Sequence, residues 1–458
     1  MVFSSIVFIF RFLPIALGLY FLTPKRYKNL MLTLLSLIFY SWGEGKYFLI
    51  MIASILVDYT AGRLIGKYRY NKKLSIAILS LSVCFNLGML FFFKYFNFFI
   101  DNLNSLWGLG LTPVKITLPL GISFYTFQTM SYSIDVFRGN VDQEKNIITF
   151  SAFVTLFPQL IAGPIVKYSD IAEELKERHV SKDSVEKGIE KFILGLGRKV
   201  LVANNIGMLW TEIETIGFDR ISTPLAWMGL VAFGLQIYFD FSGYSLMAIG
   251  LGEMLGFSFP QNFNYPYISR SISEFWRRWH MTLGSWFREY VYIPLGGNKK
   301  GTVRTTINLF IVWFLTGLWH GASYNFILWG MLFFILISVE KAGLNKILEK
   351  HKIFSHLYTL FFLLIGWGLF AITDFNLMGY YFKGLFNFRY GIDYLYYLRN
   401  YAGIFIIAIA LSTPVIPKLY NKYVKSQAVN ASVLMFIFIV AVAYLVDATY
   451  NPFLYFRF

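Results

Sequence analysis

One histidine has the type and setting for proton transfer: His320, in Thr316-Gly-Leu-Trp-His-Gly-Ala-Ser. His320 lies inside an apolar stretch, where an imidazole costs transfer free energy and titrates near neutral pH, so chemistry is the default expectation. The structural alternative is a histidine satisfied by a neighbouring carbonyl or hydroxyl. Asp240, an acid within another apolar run, reads first as half of a buried ion pair, with an arginine as the convenient partner. Cys84 is the single cysteine, and one thiol makes neither an internal disulfide nor a two-thiol acyl relay. His179, His351 and His356 fall in polar or basic loops, and five histidines with one cysteine are a poor zinc framework.

The elements that must position these groups are membrane helices. Hydrophobic residues make up 57% of the 458, charged residues 14%, and mean hydropathy is +0.55, which together define a polytopic membrane protein. The net charge of +16 comes from Lys and Arg in short clusters between apolar runs, as expected of cytoplasmic loops, so no nucleic-acid partner is implied. The first apolar run, 2–22, has no basic lead-in and no cleavage site and reads as a retained span. If the basic cluster after it is cytoplasmic, the loops 63–73, 167–191, 270–304, 341–352 and 418–425 give about eleven spans, with both termini outside the cell.

The segment 147–166, with its prolines and glycine, suits a re-entrant hairpin, and the polar stretch 169–191 a short surface helix. Ala248, Gly252 and Gly256 suggest a small-residue edge for close helix packing. The runs 305–319 and 323–339 form two short spans or a hairpin with His320 at its apex. The first leg would reach only roughly 24 Å against a hydrocarbon core of about 30 Å, which places His320 within the membrane. No repeat or soluble domain is evident. The expected organisation is one integral-membrane domain over 1–458, with a histidine-bearing core at 257–340 and an aromatic tail at 447–458.

The stretch 273–290 is too polar to span and reads as one helix opening at Ser273 and Glu274. At helical spacing Arg277, His280, Gly284 and Arg288 share a stripe, opposite Phe275, Trp279, Leu283, Trp286 and Tyr290. An interfacial helix with arginines among headgroups is one explanation. The other is the mouth of a site for an anionic donor, since guanidinium forks suit phosphate oxygens.

Several motifs resemble one family. Asn262-Phe-Asn-Tyr-Pro-Tyr267, Phe275-Trp-Arg-Arg-Trp-His280, Trp286-Phe-Arg-Glu-Tyr290, Tyr292-Ile-Pro-Leu-Gly-Gly-Asn298 and Thr316-Gly-Leu-Trp-His-Gly-Ala322 are similar to the membrane-bound O-acyltransferases, in the branch that acetylates alginate, peptidoglycan and other envelope polysaccharides. Leu118-Pro-Leu-Gly-Ile-Ser-Phe-Tyr-Thr-Phe127, Pro158-Gln-Leu-Ile-Ala-Gly-Pro164 and Phe239-Asp-Phe-Ser-Gly-Tyr244 fit the same branch.

The resemblance implies an all-α ring of helices around a tunnel in the bacterial plasma membrane. It also implies a cytoplasmic acyl donor, acetyl-coenzyme A or an acyl-carrier thioester, as substrate with no tightly bound cofactor. The acceptor would be an envelope polysaccharide, with a secreted or membrane-anchored acetyltransferase as partner. His320 is then the essential intramembrane histidine and His280 the second signature residue. We expect His320 to act as general base, with Thr316 and Asn325, and Asp240 less so, as orienting or oxyanion groups. His280, Arg277, Arg288 and Trp276 are expected on the donor side. Tyr455, in Asn451-Pro-Phe-Leu-Tyr-Phe-Arg-Phe458, is an acyl-relay candidate, the alternative being an interfacial aromatic anchor. A transporter or flippase and a non-catalytic scaffold are the competing classes. The transporter would be favoured by inverted repeats, which the sequence does not display.

Overall fold

The structure, a computed structural model, describes residues 1–161, 163–447 and Leu454. Every regular element among them is helical. This is what long apolar runs require when each backbone N–H and C=O must be satisfied within its own segment. Among the described residues nine helices are long and apolar enough to cross a bilayer, the first of them, Lys25–Lys67, interrupted at Gly45 (φ 49°). The apolar stretch Phe8–Leu22 and the helix Ile122–Arg138 are shorter. The span Gln427–Asp447 is strongly apolar yet buries only Ala441 and Leu445, so its sides must meet lipid. The chain is a multi-pass membrane protein.

The chain divides into two compact units, Met1–Phe192 with Ser245–Pro260, and Ile193–Tyr244 with Gln261–Phe458. In the first, Phe3, Phe8, Phe12, Phe39 and Phe157 pack ring on ring, with Phe12 edge-on to Phe157 at 5.4 Å. The helices Ile147–Thr155 and Phe157–Leu160 break at Leu156, and neither is long enough to cross. The polar stretch near 169–191 holds the helix Tyr168–Lys176, while Lys182–Gly197 opens a span that continues to Ile216.

Close backbone approach falls at different glycines from those expected. A Cβ on Gly250 would lie 2.4 Å from the Gly188 carbonyl in the first unit, and one on Gly243 would lie 2.7 Å from the Gly195 carbonyl in the second. Gly252 packs instead under the Phe259 ring.

Both histidines lie in the second unit. Helices Gly301–His320 and Tyr324–Val339 form a hairpin joined by residues 321–323, and the two legs touch at glycines. A Cβ on Gly317 would sit 2.5 Å from the Phe326 carbonyl, and one on Gly330 2.4 Å from that of Trp313. The first leg begins at Gly301, not at 305, because a helix continues through polar residues whose side chains reach outward. Its 20 residues measure about 30 Å, enough to cross. His320 is therefore the last residue of a full-length span, which corrects the short-leg argument for its depth.

Candidate active site

The helix expected over 273–290 is two helices. Ile272–Arg278 is capped by Ser271, whose hydroxyl accepts from the Glu274 N–H at 3.0 Å, and Met281–Phe287 follows. Between them Trp279 is extended and His280 is left-handed (φ 44°, ψ 52°). The segment at Asn262 takes up the backbone groups freed by this break: Asn264 N–H donates to the Arg278 carbonyl at 2.9 Å and Met281 N–H to the Asn262 carbonyl at 3.0 Å. The Trp279 ring is drawn inward, 4.9 Å from Trp367 and 5.1 Å from Phe263. The single cationic stripe is thereby dissolved. Arg277, Arg288 and Gly284 remain exposed, while His280 is buried.

A left-handed non-glycine residue costs roughly 1–2 kcal/mol, so the surrounding bonds must hold it. Asn262 Oδ1 does so, accepting from the Thr282 N–H at 3.3 Å and hydroxyl at 2.9 Å and lying 3.1 Å from His280 Nδ1. The ring stands edge-on to Phe241 at 4.8 Å. Burial pushes the His280 imidazole down to about 3, so it is neutral across the physiological range.

His320 is buried among aromatic edges, with ring centroids 4.9 Å from Trp329 and 5.2 Å from Phe370. It lines a cavity of about 20 Å³ with Ile237, Asp240, Phe241, Trp279 and Leu454 among the other walls. That is room for about one water-sized group. The indole N–H of Trp329, in the same wall, is buried and has no hydrogen-bond partner among the described residues.

The other expected site residues are committed in different ways. The Thr316 hydroxyl donates to the Val312 carbonyl at 2.7 Å, within its own helix. Asn325 Nδ2 donates to the carbonyls of Leu369 and Phe370, at 3.1 and 3.3 Å, and so fixes the residue whose ring packs on His320. Trp276 packs between Trp313, Trp329 and Phe333, at 5.0, 5.3 and 4.9 Å.

Asp240 forms a buried ion pair at 2.7 Å, but with Lys199, not an arginine. Lys199 projects from a π-helical turn, Arg198–Asn204, and also donates to Asn204 Oδ1 at 2.8 Å. The other Asp240 oxygen accepts the Leu454 N–H at 2.8 Å, and Leu454 itself lines the cavity. Tyr455 lies outside the described residues.

Three groups were not singled out from sequence. Glu340, wholly buried on a second π turn, accepts the N–H groups of Ile272 and Ser273, at 2.6 and 2.9 Å, and so holds the start of the helix leading to His280. Its signal was an acid at the end of an apolar run. Lys199 carried the matching signal, a cation inside a span. Asn262 lay in a quoted motif, but its pairing depends on the break at 279–280, which no helical periodicity reveals.

A buried imidazole at the apex of a helical hairpin, on the wall of a cavity lined by aromatic rings, and a second buried imidazole on a left-handed turn make up this candidate site. Residues 37–382 match the membrane-bound O-acyltransferase family, and the chain belongs to it. It is an acyltransferase. The chain is 41% identical over 393 residues to a probable alginate O-acetylase AlgI of Pseudomonas putida, covering 85% of this chain and 81% of that protein. It is 34% identical over 413 residues to a peptidoglycan O-acetyltransferase of Helicobacter pylori, covering 82% and 77%. A teichoic acid D-alanyltransferase of Bacillus subtilis is 28% identical over 237 residues, 49% of this chain and 60% of that protein.

Proposed function

We propose that this membrane acyltransferase carries an acetyl group from a cytoplasmic thioester, acetyl-coenzyme A or an acyl-carrier thioester, to hydroxyls of an envelope polysaccharide outside the bacterial plasma membrane. The polymers named for its relatives, alginate and peptidoglycan, support that acceptor class. The observation that carries the reading is His320 held between Trp329 and Phe370 on a cavity wall. A thioester is already activated, so the chemistry needs a base and an oxyanion donor. His320 takes the proton of the attacking hydroxyl as its oxygen bonds to the thioester carbonyl. The oxyanion accepts from the Trp329 indole N–H, the carbon–sulfur bond breaks, and the thiolate takes the proton back from the imidazolium. Arg277 and Arg288, exposed on the donor side, bind the phosphates of the donor.

An acetyl group needs more room than the cavity of about 20 Å³ offers, so the Leu454 side chain must withdraw during turnover. Tyr455, next in sequence, is the acyl relay in this reading, its phenol taking the acetyl group and passing it to a secreted or membrane-anchored partner enzyme. This requires the C-terminus to lie outside the cell.

The test is His320→Ala in cells whose envelope glycans are analysed by mass spectrometry. Acetyl groups should disappear while the protein inserts and accumulates normally. Retained acetylation would remove His320 as the base.

A further inference from the structure

The hydrogen-bond pattern at Asn262 fixes the tautomer of His280. A backbone N–H can only donate, so the Asn262 atom that faces Thr282 N, at 3.3 Å, is the amide oxygen. His280 Nδ1 lies 3.1 Å from that same oxygen and must therefore carry the ring hydrogen. In the neutral ring the lone pair is then on Nε2. Nε2 is buried and has no hydrogen-bond partner among the described residues. A desolvated acceptor left open, on a residue held in a costly backbone conformation, is an arrangement a bound group would complete.

We propose that Asn262 is a positioning residue that holds His280 as a neutral acceptor, and that Nε2 receives a hydrogen bond from an amide N–H on the thioester-bearing arm of the acyl donor. The proposal rests on the thioester reading above and changes the expected role of His280. A neutral ring with its only hydrogen engaged has no attraction for phosphate, which is left to the exposed arginines.

The experiment uses the full chain in nanodiscs with ring-15N histidine, the His280 signals being assigned by their loss in His280→Gln. Nδ1 should be protonated and Nε2 bare, unchanged between about pH 5 and 8. Coenzyme A, which has the arm, should shift the Nε2 signal, and adenosine bisphosphate, which has phosphates but no arm, should not. Asn262→Ala should lose the single tautomer and raise the donor KM roughly tenfold, with a smaller effect on kcat. Asn262→Asp keeps an acceptor and should restore the Nδ1–H tautomer, with ionisation moved upward by the new carboxylate. A proton on Nε2, ionisation between about pH 5 and 8 in the wild type, or an equal response to both probes would overturn the proposal. The tautomer is read without turnover, so its result stands apart from the fate of the His320 assignment.

Discussion

At the residue scale, the two histidines sit in different surroundings. His280 faces an amide oxygen and is stripped of water, whereas His320 meets ring edges and a cavity that also reaches Asp240. The same wall holds a donor with no hydrogen-bond partner among the described residues, the Trp329 indole. Trp329→Phe keeps most of the ring packing and removes only the N–H, so we expect kcat to fall about 100-fold with KM little changed, measured by acetyl transfer from purified protein. An unaltered kcat would return the indole to a packing role. The depressed His280 basicity also sets a pH dependence. The unfolded imidazole takes up a proton near its ordinary value of about 6.5, while the folded one refuses it until about 3. Stability should therefore decline as pH is lowered through that window and be fully restored above it, and His280→Gln should flatten this slope in thermal unfolding curves.

At the element scale, the sequence was legible wherever one periodicity ran uninterrupted. The apolar spans and the hairpin at His320 follow from spacing. What spacing could not reveal was the break at Trp279 and His280, because it is imposed by the Asn262 segment pairing with it from outside the helix. The upstream extension of the His320 helix to Gly301 was hidden for a related reason, since polar residues can prolong a helix beyond its apolar core. Glu340 supports the same region from a distance of more than sixty residues. Glu340→Ala would leave the N–H groups of Ile272 and Ser273 buried without an acceptor, costing about 1–3 kcal/mol. The detergent-solubilised protein should unfold at lower temperature, with Glu340→Gln intermediate because one oxygen remains. Equal midpoints for wild type and Glu340→Ala would show that the carboxylate is dispensable to that helix.

At the scale of the whole molecule, the buried Lys199–Asp240 pair joins two spans of the second unit and holds Leu454 beside the cavity. Removing one partner should cost about 3–5 kcal/mol by leaving a charge alone, while Lys199→Met with Asp240→Leu should cost much less. A double-mutant cycle on unfolding in detergent checks this, and additive losses would deny the coupling. The pair also constrains biogenesis. The segment carrying Lys199 leaves the ribosome before the one carrying Asp240, and a solitary ammonium at the centre of a nascent helix raises its insertion cost by about 2.5–3.5 kcal/mol. The earlier helix is thus poorly suited to partition into lipid by itself, and the translocon must retain it until its acidic partner emerges.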